Sequence, residues 1–238
     1  MIVEFAGCSG VGKSTLLEEL LRDCQERGLP VWTAPQALLG WIPDVVLDQP
    51  TLQNLMLDVA GVCRRVVDRK PYGAFLEFAR SVIRRDTDRR WRGLNAYRAV
   101  LRALGVHAAL SSEEQKQKIV LVDEGTVNLV HAILAHVKEP PRAEDIDTFC
   151  ELVPMPDLVI HVTAPLKAVL ARTSVRRVPP LPNRSPQDRE RFIRHAYTAF
   201  ERVMSHEAFS QNTLRISCED ENWQQYRFRA REIIQQIA

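Results

Sequence analysis

The stretch Ile2-Val3-Glu4-Phe5-Ala6-Gly7-Cys8-Ser9-Gly10-Val11-Gly12-Lys13-Ser14-Thr15 decides the fold. A short, mostly apolar run ending at Gly7 suits a buried strand. From Ser14 to Arg27, Leu16, Leu17, Leu20, Leu21 and Cys24 recur at helical spacing until Gly28 interrupts them. The segment between strand and helix, Gly7 to Thr15, fits G-x-x-x-x-G-K-[ST], and its flanks are the ones that motif requires. Small residues are needed there because consecutive backbone N–H groups must curl around phosphate oxygens, while the following helix points its positive dipole end at the same anion. The residues expected to contact a nucleotide are therefore Gly7, Ser9, Gly10, Val11, Gly12, Lys13, Ser14 and Thr15. Lys13 is expected to reach the β- and γ-phosphates, and the Ser14 hydroxyl to ligate Mg²⁺.

Working outward, Pro30–Thr33 reads as a second strand, and the part that follows, with Pro35, Gly40, Pro43 and Pro50, reads as loop with one helical turn. Residues 51–110 show no strand pattern and predict a helical insertion, with helices near 51–69, 73–89 and 92–109. Ile119-Val120-Leu121-Val122 has the unbroken apolar character of a parallel strand buried on both faces, and it ends at Asp123-Glu124-Gly125. Helices are expected near 126–137 and 142–151, a strand over Asp157–Thr163, and a helix starting at Pro165. An arginine- and proline-rich loop follows at about 173–185, then a helix at 186–206, a strand at Thr213–Ser217 and a helix at Asn222–Ile237. Strands alternating with helices imply an α/β fold with a parallel sheet and right-handed crossovers, in one domain over 1–238.

Asp123, ending its strand, is the expected second contributor to the magnesium site, and Asp123 or Glu124 is the candidate base. A glutamate at 124 also suits a hydrolytic enzyme that orients water. No Asn-Lys-x-Asp element follows the strand at Asp157–Thr163, which leaves nothing to select guanine and favours adenine.

Composition excludes several classes. The 238 residues are 45% hydrophobic and 26% charged, the mixture of a globular domain. No apolar run approaches the roughly 20 residues that span a bilayer, and Met1–Phe5 has neither basic flank nor cleavage site, so a cytoplasmic protein without membrane partner is expected. Five cysteines lie scattered without C-x-x-C or metal-ligand spacing and read as ordinary thiols. The net charge of +2 is unevenly spread. Between Arg64 and Arg102, twelve bases face four acids, so that stretch carries +8 and the remainder −6. Guanidinium forks match phosphate or carboxylate oxygens, so an anionic small-molecule acceptor is expected, and nucleic acid is not. Arg64, Arg80, Arg84 and Arg98 are the candidates for acceptor contacts. Trp41, Phe75, Phe78, Trp91 and Tyr97 read as stacking or core residues.

With these pieces placed, the chain resembles the thymidylate-kinase-like branch of the P-loop nucleoside and nucleotide kinases. The likeness is carried by the Gly7–Thr15 loop and by Pro156-Asp157-Leu158-Val159-Ile160-His161-Val162-Thr163-Ala164-Pro165 with Val169-Leu170-Ala171-Arg172. It extends through the helix with Phe192, Tyr197 and Phe200 to Ile216-Ser217-Cys218. The resemblance implies a three-layer, five-stranded parallel sheet, ATP as phosphoryl donor with Mg²⁺, and a lid over the nucleotide. It also implies lid arginines at Arg172, Arg176 and Arg177, an adenine-flanking loop at Cys218, and a homodimer built on the helical face. The acceptor side differs: Glu124-Gly125 stands where thymidylate kinases carry an arginine, and Thr33-Ala34-Pro35-Gln36 where nucleoside kinases place a glutamate base.

Overall fold

The computed structural model describes residues 1–39, 72–86, 90–115, 117–176, 180–181, 184–218 and 223–237. The expected helix near 51–69, Arg64, Trp41 and Arg177 lie outside them. Five strands, β1 (Ile2–Ala6), β2 (Val31–Thr33), β3 (Ile119–Val122), β4 (Leu158–Thr163) and β5 (Thr213–Ser217), form one all-parallel sheet in the order β2-β3-β1-β4-β5. β1 is central. It pairs with β3 on one side, from Ile2↔Val120 to Glu4↔Val122, and with β4 on the other, from Val3↔Leu158 to Ala6↔His161. The chain leaves β1 to build one half of the sheet and returns to build the other, so a crevice opens at the carboxyl ends of β1, β3 and β4.

Helices flank the sheet: α1 (Lys13–Glu26), α2 (Ala34–Leu39), α3 (Gly73–Asp86), α4 (Arg90–Leu110), α5 (Val130–Ile133), α6 (Ala143–Leu152), α7 (Leu166–Ser174), α8 (Pro186–Met204) and α9 (Trp223–Ile237). α1 buries Leu16, Leu20 and Cys24, and α9 packs along it through Ala230, Ile233 and Ile234. On β1 and β3, Ile2, Val120 and Val122 meet Ala34 and Ala37 of α2 and Val106 and Leu110 of α4. α8 starts where its sequence says it should: Ser185 accepts from the Asp188 N–H at 3.1 Å and Pro186 fills the first turn. Among the described residues no helix is long and apolar enough to cross a membrane.

Two expectations are refined. The segment after β2 is a helix from Ala34 because Thr33-Ala34-Pro35-Gln36 is a capping box. Gln36 Oε1 accepts from the Thr33 N–H at 2.9 Å, and Thr33 Oγ1 accepts from the Gln36 N–H at 3.4 Å. The helix expected over 126–137 is a 3₁₀ turn (Val127–Leu129) followed by the single turn of α5. The cause is Asn128, whose side-chain amide donates to Phe5 O and Asp123 O and holds the turn against the carboxyl ends of β1 and β3.

Candidate functional site

The loop that leaves β1 reaches α1 with no acid in the helix's first turn and no side chain capping it at Gly12, so the first N–H groups of α1 remain available to an anion. Gly10 and Gly12 hold φ of +92° and +109°. At Gly10 the requirement is double. A Cβ there would stand 2.7 Å from Thr173 Cγ2 of α7, in a backbone conformation that L side chains rarely adopt. Gly10→Ala is expected to cost about 2 kcal/mol. That lowers the thermal midpoint by about 4–8 °C in calorimetry, with the loop as the region disturbed.

Lys13 folds back over the loop, its Nζ donating to Gly7 O at 2.6 Å and Cys8 O at 3.4 Å. Burial holds its ammonium below the usual lysine value, and the Asp123 carboxylate opposes that fall. Ser14 Oγ donates to Asp123 Oδ2 at 3.3 Å, and Asp123 Oδ1 is a buried oxygen without a hydrogen-bond partner. A hydroxyl beside an unsatisfied carboxylate is a hard-oxygen donor set, which fits Mg²⁺. Among the described residues no group of three or more His, Cys, Asp or Glu gathers around a point. The cation this pair suits is one that brings further oxygens with it, as a magnesium-bound polyphosphate does.

Two arginines close the loop from above. Arg172, at the end of α7, donates to Val11 O and Cys218 O, both at 3.4 Å, and so bridges the glycine-rich loop to the end of β5. Arg176 donates to Ser9 Oγ at 3.2 Å. Ser9, Gly10, Gly12, Lys13, Ser14, Thr15, Asp123, Glu124, Arg172 and Arg176 all line one cavity of about 630 Å³. Gly7, Val11 and Cys218 do not. Val11 is buried in the core, and Cys218 lies beyond Arg172, its own N–H bonded to Thr163 O at 2.7 Å. Cys8 is buried inside the loop, where burial pushes its thiol up to about 12, so it is inert at neutral pH.

The cavity continues past the loop. It is lined as well by Ala99, Arg102 and Ala103 of α4 and by Leu129, Ala132 and Phe192. Among the described arginines of α3 and α4, Arg102 lines it. Arg80 and Arg84 sit exposed on α3, which packs on α4 and α6 instead, with Arg85 bonded to Asp145, and Arg98 lies exposed one turn before Arg102. Phe75 is a core residue, edge-on to Phe149, and Phe78 packs partly buried beside it.

His131 was not legible in the sequence. Its Nε2 accepts the Ser9 N–H at 3.1 Å, and its ring stands edge-on to Phe200 and roughly parallel to Phe192. Burial, reinforced by the Lys13 charge, pushes it down to about 3, so it stays neutral and fixes the tip of the loop. No motif marks it. Compared with known proteins, the chain matches no family model and no curated protein, so the reading of this site rests on its residues and their geometry.

Proposed function

We propose that this chain is a P-loop phosphotransferase of thymidylate-kinase-like build, a three-layer fold that uses Mg²⁺-ATP to phosphorylate a small, anionic acceptor. One observation carries the reading: a single cavity joins the set Lys13, Ser14 and Asp123 to a second half walled by Ala99, Arg102, Ala103 and Phe192. A triphosphate fits the first half by charge and by backbone N–H supply. An acceptor with an anionic group suits the second, which Arg102 lines beside Ala99, Ala103 and Phe192.

In this reading Lys13 and the first turn of α1 bind the donor phosphates, and Ser14 and Asp123 hold the cation. The bound Mg²⁺ neutralises phosphate charge. Arg172 and Arg176 lie over the loop, where charge spreads over the transferring group's oxygens, and Arg177 follows them in sequence. Glu124, exposed and lining the cavity, accepts the acceptor's proton in this reading.

Its exposure equally favours a second reading, in which Glu124 orients water and the protein is an ATPase. Glu124→Gln separates the two when product is weighed by mass spectrometry against released phosphate, using ATP and a panel of hydroxyl- and phosphate-bearing small molecules. For a kinase, transfer falls by about 10²-fold while Mg²⁺-ATP still binds. Phosphate release without any phosphorylated acceptor, suppressed in the variant, would identify the ATPase.

A further inference from the structure

β1 is central, and four of its five residues are apolar. The fifth is Glu4, 1% exposed. A carboxylate there is costly to desolvate, and burial lifts it to about 7 against several hydrogen bonds that pull it down. A leucine would fill the space without that cost, so the oxygens themselves have a task.

Their partners all belong to one short segment. The Asn128 N–H donates to Glu4 Oε1 at 2.9 Å and the Asn128 side-chain amide to the same oxygen at 3.3 Å. Thr126 Oγ1, whose own proton goes to Pro154 O at 2.6 Å, stands 3.4 Å from Oε2. Gly125 lies directly over the carboxylate, where a Cβ would come within 2.4 Å of Oε2. That segment runs straight on from Asp123-Glu124. The β1–β3 ladder stops at Glu4↔Val122, so the pairing between these strands ends just before Asp123. Where it ends, the Asn128 amide takes over, donating to Phe5 O at 2.6 Å and Asp123 O at 2.9 Å.

We propose that Glu4 is a positioning residue: through Gly125, Thr126 and Asn128 it sets where the Asp123-Glu124 step stands relative to the loop that β1 itself carries. The inference rests on the phosphoryl-transfer reading of the site. What it fixes is the spacing of Ser14 and Asp123, now 3.3 Å, which must share one cation. The carboxylate touches neither donor nor acceptor and acts only through the turn.

The test uses the full chain with Glu4→Leu, Glu4→Gln and Asn128→Ala. It reads amide hydrogen exchange over 123–129 without nucleotide, Mg²⁺-ATP affinity by calorimetry, and kcat and KM for transfer. Glu4→Leu is expected to raise exchange in that segment about tenfold or more. Its kcat should fall about 30-fold with KM for ATP changed less than about threefold, because the loop itself is untouched. Glu4→Gln keeps an acceptor oxygen for Asn128 and should return kcat to within about fivefold of wild type. Asn128→Ala removes the relay without placing a new group in the core, and should repeat the kcat loss even where Glu4→Leu fails to fold. Unchanged exchange in Glu4→Leu, or normal kcat in folded Glu4→Leu or in Asn128→Ala, overturns the proposal and leaves the site's reading intact. A wild-type protein that binds no Mg²⁺-ATP overturns that reading and the positioning role with it, even if exchange shows Glu4 holding the segment.

Discussion

Lys13→Ala is expected to leave the chain folded and to remove about a thousandfold or more of the proposed Mg²⁺-ATP-dependent transfer, roughly 4 kcal/mol of transition-state stabilisation. The fold should survive because Lys13 donates to two carbonyls of its own loop, Gly7 O and Cys8 O. The loop's conformation is set instead by Gly10 and Gly12 and by Val11, whose N–H bonds Cys8 O at 3.3 Å. The function should not survive, because the ammonium is partly desolvated and faces the one place where α1 offers uncapped N–H groups. Charge in such surroundings acts more strongly than in water. Lys13→Arg is expected to rescue little: a planar fork cannot replace a compact ammonium folded against two carbonyl oxygens. Calorimetry with Mg²⁺-ATP, beside a thermal melt as control for folding, decides the matter. Wild-type heats of binding in a folded Lys13→Ala protein would falsify the assignment of the loop as a phosphate cradle, and the kinase and ATPase readings would fall together.

What the sequence made legible follows from how local each signal is. The strand before Gly7 and the helix after Gly12 are encoded within about 28 residues, and the rest of the sheet is signalled by the apolar runs at 119–122 and 158–163 and by the short segments at 31–33 and 213–217. Asp123 was legible because an apolar strand ending in an acid is itself a local pattern. His131, Asn128 and Glu4 were not, since their roles exist only once β1, β3 and the turn after β3 are brought together. A buried glutamate in β1 was visible as a letter, but nothing along the chain says what lies above it. Among the arginines, charge alone could not separate Arg98 from Arg102; the packing of α4 did, by turning Ala99, Arg102 and Ala103 to the cavity. The capping box at Thr33–Gln36 is the opposite case. Its signal was present in full, and it accounts for Gln36 standing where a base is expected by resemblance.

Acidification should unfold this protein well before its carboxylates are all protonated, and His161 is the main reason. It lies in β4 at 2% exposure, and burial, followed by the charges of Arg215 and Lys13, pushes it down to about 3. Glu201 Oε1, 3.9 Å from its Nε2, is the nearby acid. A histidine whose folded pKa lies below its unfolded value contributes stability that is complete above about pH 6.5 and drains away as pH falls towards 3. For His161 the full loss is of order 5 kcal/mol as an upper bound, a large part of the stability of an ordinary domain. His131, between Phe192 and Phe200 and also pushed to about 3, drains in the same window. Glu4 works the other way. Raised to about 7, it keeps its proton in the folded state between pH 7 and 4.5, so stability gains of order 3 kcal/mol from it on acidification. Two histidines outweigh one glutamate below pH 6.5, and below 4.5 Glu4 adds no further gain against their continuing loss. Urea unfolding at pH 7.5, 6.5, 5.5 and 4.5 should therefore show a shallow first step and steep later ones. His161→Phe, which keeps a ring at a buried position, should flatten the later steps and move the acid midpoint down by about half a unit or more. Glu4→Gln should steepen them, since it removes the opposing titration. A pH profile that is the same in His161→Phe as in wild type would mean that the imidazole reaches water or Glu201 when it charges, and that its burial carries no penalty.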